Sequence, residues 1–120
     1  MEFKYFKPSE FEKCVPSCSI DAMSERFLSL LDYARELACV PFKLNSAYRS
    51  KEYELSKGRS GSSSHCKGIA VDIACGSSSM RYCIVSALLQ CGFRRIGIYK
   101  SFIHVDYDLD NPACLWIKTK

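Results

Sequence analysis

The sequence predicts an α+β domain, a small and mainly antiparallel sheet with helices packed on one side. Three observations predict it. Apolar residues recur at three- and four-residue steps over residues 21–38 and 80–91, as amphipathic helices require. Segments 69–73 and 102–107 instead alternate apolar with polar or small residues, the period of a half-buried strand. The helices precede and follow strands that read as hairpin-connected, which argues for segregated layers and not for a doubly wound parallel sheet.

Taken in order, residues 1–20 read as a short strand or extended arm followed by a small helical turn. There Ser9 and Glu12 fit a capping box, and Pro16 ends the turn. Asp21 to Ala38 reads as one helix with Phe27, Leu30, Leu31, Ala34, Leu37 and Ala38 on its stripe, leaving Arg26, Asp32 and Arg35 for solvent. Pro41 closes it, and Phe42 to Ser46 alternates as a strand. Ser50 to Lys57 is a short helix with Ser50 as its N-cap and Gly58 turning the chain out. Gly58 to Ser64 is a Gly/Ser loop that runs straight into His65. After the strand Ile69 to Ile73, Ser77 to Ser79 cap a helix from Met80 to Cys91, which Gly92 stops. Arg95 to Tyr99 and Phe102 to Tyr107 form a hairpin around Lys100-Ser101, and Ala113 to Ile117 is a last strand.

At 120 residues the chain is expected to be a single domain, 1–120, acting as a monomer. Its composition, 48% apolar and 25% charged, is that of an ordinary globular protein. The net charge of +4 is spread along the chain without a Lys/Arg block, so nucleic acid is not an expected partner, while an anionic small substrate is compatible. No stretch approaches the roughly 18 apolar residues of a spanning helix, so no membrane association is expected. Met1 to Lys7 lacks the apolar run of a secretory signal, and a cytoplasmic protein as synthesised is therefore expected. In that compartment the eight cysteines are expected to stay reduced, although their even number also admits a small disulfide-stabilised binding protein.

Chemistry concentrates in Ser63-Ser64-His65-Cys66-Lys67-Gly68-Ile69-Ala70-Val71-Asp72 and in Phe102-Ile103-His104-Val105-Asp106, which hold the only two histidines. Strand parity puts Ala70 and Asp72 on one face, with Ile69, Val71 and Ile73 on the other. Likewise His104 and Asp106 point one way while Ile103, Val105 and Tyr107 point the other. Two such strands side by side bring His65, Asp72 and His104 to one spot. Two imidazoles and a carboxylate suit a zinc ion with a fourth position open to water. Asp72 between Val71 and Ile73 is hard to read as a bystander, because a buried carboxylate is costly unless paired or metal-bound.

At these residues the chain resembles the zinc D-Ala-D-Ala carboxypeptidase family. That group includes the D,D-dipeptidases of vancomycin resistance, the L-alanyl-D-glutamate peptidases of phage endolysins and, by structure, the hedgehog signalling domain. The pattern S-x-H-x-x-G-x-A-x-D matches Ser63, His65, Gly68, Ala70 and Asp72 without a gap. Ile96-Gly97-Ile98-Tyr99 and His104-Val105-Asp106 resemble its G-I-G-x-Y and H-V-D. Upstream, Asn45 to Ser50 resembles S-G-Y-R-S, and Lys7 to Phe11 the S-x-x-E-F start.

The resemblance implies a hedgehog/D-Ala-D-Ala peptidase-like fold and a zinc metallopeptidase. Its partner would be a peptidoglycan stem peptide, cut in or next to the D-amino-acid part by a D,D-carboxypeptidase or L,D-endopeptidase type of reaction. It also implies action on the cell wall after phage-type or lytic release. Its zinc ligands would be His65, Asp72 and His104, with Arg49 steadying the scissile carbonyl or a substrate carboxylate, and Ser63 and Tyr99 bordering the substrate. Relatives place a general base at the positions of Ser101 or Phe102, and neither residue here can serve. Asp106 is then the nearest candidate base, or else a group that orients a ligand histidine, with Asp108 a minor alternative. Tyr53-Glu54 replaces the family's usual H-N pair. The missing base also leaves a zinc-binding, non-catalytic module that acts through protein contacts as the rival reading.

Overall fold

The computed structural model describes residues 2–118. Eleven short elements run α1 (Pro8–Glu12), a 3-10 turn (Ile20–Ala22), α2 (Glu25–Ala38), β1 (Leu44–Ser46), α3 (Lys51–Ser56), a second 3-10 turn (Ser64–Lys67), β2 (Ala70–Ala74), α4 (Ser78–Gln90), β3 (Arg95–Ile98), β4 (Phe102–Asp106) and β5 (Cys114–Ile117). The strands form one sheet in the order β1-β2-β4-β3-β5, antiparallel throughout except for the parallel β3–β5 pair. The architecture is α+β, as the alternation and the helical stripes predicted.

One apolar face of this sheet builds the core. Val71, Ile73, Ile96, Ile103 and Val105 pack in a single buried cluster with Phe27, Leu28, Leu31 and Ala34 of α2 and Ile84, Ala87 and Leu88 of α4. Each of the larger side chains contributes roughly 1.5–3 kcal/mol by leaving water. The opposite face carries Asp72 and His104, which are left to do something other than pack. Among the described residues no helix is long and apolar enough to cross a membrane.

Several local expectations shift. The helix expected from Asp21 begins instead at Glu25, because the Ser24 hydroxyl accepts from Phe27 N–H at 3.2 Å and caps a new start. Ser24 N–H in turn donates to the Gly68 carbonyl at 2.9 Å, tying the break to the loop that carries His65. At α1 the capping acid is Glu10 and not Glu12. Pro8 opens the helix two residues earlier than Ser9 implies, and Glu10 accepts from Lys7 N–H at 2.8 Å. Asp32 and Arg35 are not idle surface charges either. The Asp32 carboxylate accepts from the backbone amides of Lys4, Tyr5 and Phe6 at 2.8, 2.9 and 3.2 Å, which fixes the extended N-terminal arm on α2. Arg35 pairs with Glu10 at 2.9 Å. The strand expected from Phe42 is regular only over Leu44–Ser46, where it pairs with β2 through an irregular register.

Candidate metal centre

Strand register assembles the site. In the β2–β4 pair Asp72 stands directly opposite His104, and Ala70 opposite Asp106, so Asp72, His104 and Asp106 share one face. His65 arrives from the 3-10 turn before β2. That turn ends at Gly68, whose φ of 72° lies in the left-handed region and whose missing side chain leaves room for the Ala22 carbonyl. A residue with a Cβ there would collide with backbone. The glycine therefore delivers His65 to the start of the strand.

The donor atoms of His65, Asp72 and His104 all lie within 4.8 Å of one another. Their tautomers are dictated by second partners. His65 Nδ1 lies 2.6 Å from the Ala47 carbonyl, which can only accept, so Nδ1 carries the proton and Nε2 offers a lone pair. That Nε2 is buried without a hydrogen-bond partner and sits 3.4 Å from Asp72 Oδ1. His104 Nε2 donates to Asp106 Oδ2 at 2.8 Å, which turns Nδ1 toward Asp72 Oδ1 at 3.0 Å. The orphaned His65 nitrogen, the two fixed imidazoles and the adjacent carboxylate fit a divalent cation of the zinc type, held by three protein ligands with a side open to the cleft.

Without a cation, Asp72 and His104 neutralise each other. Burial alone would raise the pKa of Asp72, but the hydrogen bond from His104 and the nearby imidazole of His65 outweigh it and hold the carboxylate well below its ordinary range. Burial would likewise lower His104, and the hydrogen bonds to Asp106 and Asp72 raise it instead.

Around this centre lies a cleft of about 430 Å³. Every residue singled out from the sequence borders it: Arg49, Ser63, His65, Asp72, Tyr99, His104, Asp106 and Asp108. Asp106 is 2% exposed and both its oxygens are engaged. Oδ2 takes His104, while Oδ1 takes Arg95 Nε–H at 2.8 Å and Asp108 N–H at 3.1 Å. Asp108 is similarly occupied by Ser64 Oγ–H at 2.9 Å and Lys67 at 3.0 Å. Ser101 is exposed on the hairpin turn, and Phe102 stacks on Tyr99 at 4.3 Å, so neither stands in for a base.

Two participants escaped sequence reasoning. Glu54, only 1% exposed, lies behind the cleft and faces two guanidiniums, Arg49 Nε at 3.3 Å and Arg59 at 3.4 Å. Burial opposes its charge, yet the Ser63 hydroxyl and the two arginines hold its pKa below the usual value. The only available signal was an acid in a segment that departs from the S-G-Y-R-S neighbourhood of relatives. The Ala47 carbonyl had no signal at all, being backbone. Trp116 of β5 lies across Gly97, where a Cβ would enter the indole, and so reaches His104 at 5.5 Å between ring centroids. The Arg95 guanidinium lies over the indole, 5.4 Å from its centroid.

The sequence model of the family described as Peptidase M15 matches residues 4–106, most of the chain. No curated protein and no solved structure matches.

Proposed function

The chain belongs to the peptidase M15 family, a family of zinc-dependent metallopeptidases, and from that premise we propose that it hydrolyses a peptide bond in or next to the D-amino-acid part of a peptidoglycan stem peptide. The observation that carries this reading is the convergence of His65 Nε2, Asp72 and His104 Nδ1, with both imidazoles locked by partners outside the set. Zinc held there would activate a water and polarise the scissile carbonyl.

The remaining chemistry belongs to the protein's own side chains. Arg49 offers a planar fork to a substrate carboxylate or to the oxygen that becomes negative during attack, and Glu54 behind it keeps that fork aimed. Ser63 and Tyr99 border the groove in which an extended peptide would lie. Asp106 acts through His104: its carboxylate fixes the proton on Nε2 and raises the basicity of the ligand nitrogen. The acidic stem peptide suits a chain of net charge +4 working as a monomer.

Purified peptidoglycan and short stem-peptide fragments, incubated with zinc-loaded protein and analysed by mass spectrometry, test the proposal. New peptide termini that vanish on chelation and return with zinc support it, and their masses identify the bond. Intact substrate after loading with zinc contradicts it. A second reading, a zinc-binding module without turnover, is favoured by one observation: the carboxylates bordering the cleft, Asp72, Asp106 and Asp108, are all engaged. Zinc retention with no cleavage of any fragment would establish that alternative.

A further inference from the structure

Hydrolysis makes no use of a second reactive cluster, in the turn between α1 and the Ile20–Ala22 segment. Cys14 and Cys18 flank Val15-Pro16-Ser17 there. The Phe11 carbonyl accepts from both of their backbone amides, at 3.2 Å from Cys14 N–H and 3.1 Å from Cys18 N–H, and the Cys18 sulfur lies 3.7 Å from the same oxygen. One oxygen thus gathers both residues, and each thiol shifts the titration of the other. A disulfide needs its two Cα atoms within roughly 4.4–6.8 Å, and a carbonyl shared by both backbone amides draws the two residues toward that separation.

The two thiols differ in a useful way. Cys14 is 4% exposed, with its sulfur 3.3 Å from the Glu10 carbonyl and 3.8 Å from that of Leu44, whereas Cys18 is half-buried and open to solvent. The neighbouring Cys14 thiol, helped by the Tyr48 amide against the effect of burial, lowers the Cys18 thiol to about 7. The same pairing, together with burial, pushes Cys14 up. An accessible thiolate beside a buried, protonated partner has the division of labour of an attacking and a resolving cysteine.

We propose that Cys14 and Cys18 form a redox-active dithiol site whose oxidant is a small disulfide of the glutathione type. The Cys18 thiolate attacks one sulfur of the oxidant. The oxidant's S–S bond breaks, one small thiolate leaves and takes a proton, and a mixed disulfide remains on Cys18. Cys14 then gives its proton to solvent and attacks the Cys18 sulfur, expelling the second small thiol. Two electrons pass from the dithiol to the oxidant, and the Cys14–Cys18 bond closes. The site is tied to the segment that leads to Arg49, because Val15 N–H donates to the Asn45 carbonyl at 2.9 Å.

The test uses the full chain, equilibrated near neutral pH with graded ratios of glutathione disulfide to glutathione, quenched in acid, alkylated and digested with trypsin. Cleavage after Lys13 and Arg26 leaves both cysteines in one peptide, 14–26. The expected result is a form of this peptide about 2 Da lighter and refractory to alkylation, which dithiothreitol converts back to a doubly alkylated one. Cys14→Ser is expected to trap glutathione on Cys18, and Cys18→Ser to leave the peptide unmodified. In the wild-type chain, a glutathione adduct that persists on Cys18, a bridge from Cys14 to another peptide, or full alkylation at every ratio would each overturn the proposal. The wild-type readout decides even if a serine variant fails to fold.

Discussion

Replacing Asp106 with asparagine separates its two conceivable roles. Oδ1 of Asp106 receives two donors, Arg95 Nε–H at 2.8 Å and Asp108 N–H at 3.1 Å, while Oδ2 receives His104 Nε2–H at 2.8 Å. Asparagine keeps one acceptor, and two converging donors hold its oxygen where Oδ1 stands. Its NH2 group then faces His104, so Nε2 must accept and the imidazole proton moves to Nδ1, the atom that faces Asp72 and His65. A protonated Nδ1 is no ligand. Loss of such an orienting carboxylate costs typically 10–100-fold in metal affinity, or about 1.4–2.7 kcal/mol. Competition against a chromogenic chelator measures the zinc Kd of Asp106→Asn directly, and turnover is followed as zinc is raised. The expected outcome is a Kd weaker by about 10–100-fold, with activity recovering at high zinc. A zinc Kd unchanged within about twofold, with turnover down more than about 100-fold at saturating zinc, would refute the reasoning and make Asp106 the proton acceptor.

Other consequences are equally direct. Glu54→Gln removes the buried charge shared by Arg49 and Arg59, and is expected to raise KM for an anionic stem-peptide fragment about tenfold, with about 1–3 kcal/mol lost in urea unfolding. Gly97→Ala places a methyl inside the Trp116 indole, so a loss of about 1–3 kcal/mol in chemical denaturation is expected as the ring is driven from His104. His65→Ala removes the orphaned Nε2 and is expected to abolish stoichiometric zinc retention on a desalting column, measured by elemental analysis. Asp108 is held below its ordinary pKa, with burial outweighed by Lys67 and the Ser64 hydroxyl. Its stabilising contribution is therefore present above the unfolded value, near ~3.9, and lost as pH falls through the lower folded value. Asp108→Asn is expected to lie about 1 kcal/mol below the wild type at pH 7 and to converge with it in acid, as read by urea titrations at both pH values.

The sequence carried the site's central geometry because strand parity is local. Asp72 and His104 each sit between buried aliphatic neighbours, and period two alone assigns them to the free face. Register needed only their facing across one antiparallel pair, which the chain supplies at Asp72 opposite His104. What stayed hidden depends on partners distant in sequence. Asp32 looks like a solvent residue until it meets amides 26 to 28 positions earlier. The break before Glu25 is capped by the Ser24 hydroxyl and held by the Gly68 carbonyl, and no helical periodicity in residues 21–38 could report it. Glu54 resembles any acid on a short helix until the fold packs two arginines against it.

Trp116, the only tryptophan in the protein, rests 5.5 Å from the imidazole of His104 and donates its indole N–H to Tyr99 at 3.2 Å. Its tryptophan emission therefore comes from a single indole lying against the very ring whose occupancy matters. Cation uptake, exchange of His104 or the arrival of a peptide beside Tyr99 all perturb the same spectrum. The molecule is its own optical sensor, and affinities at the centre are readable from unlabelled material even before any product is seen.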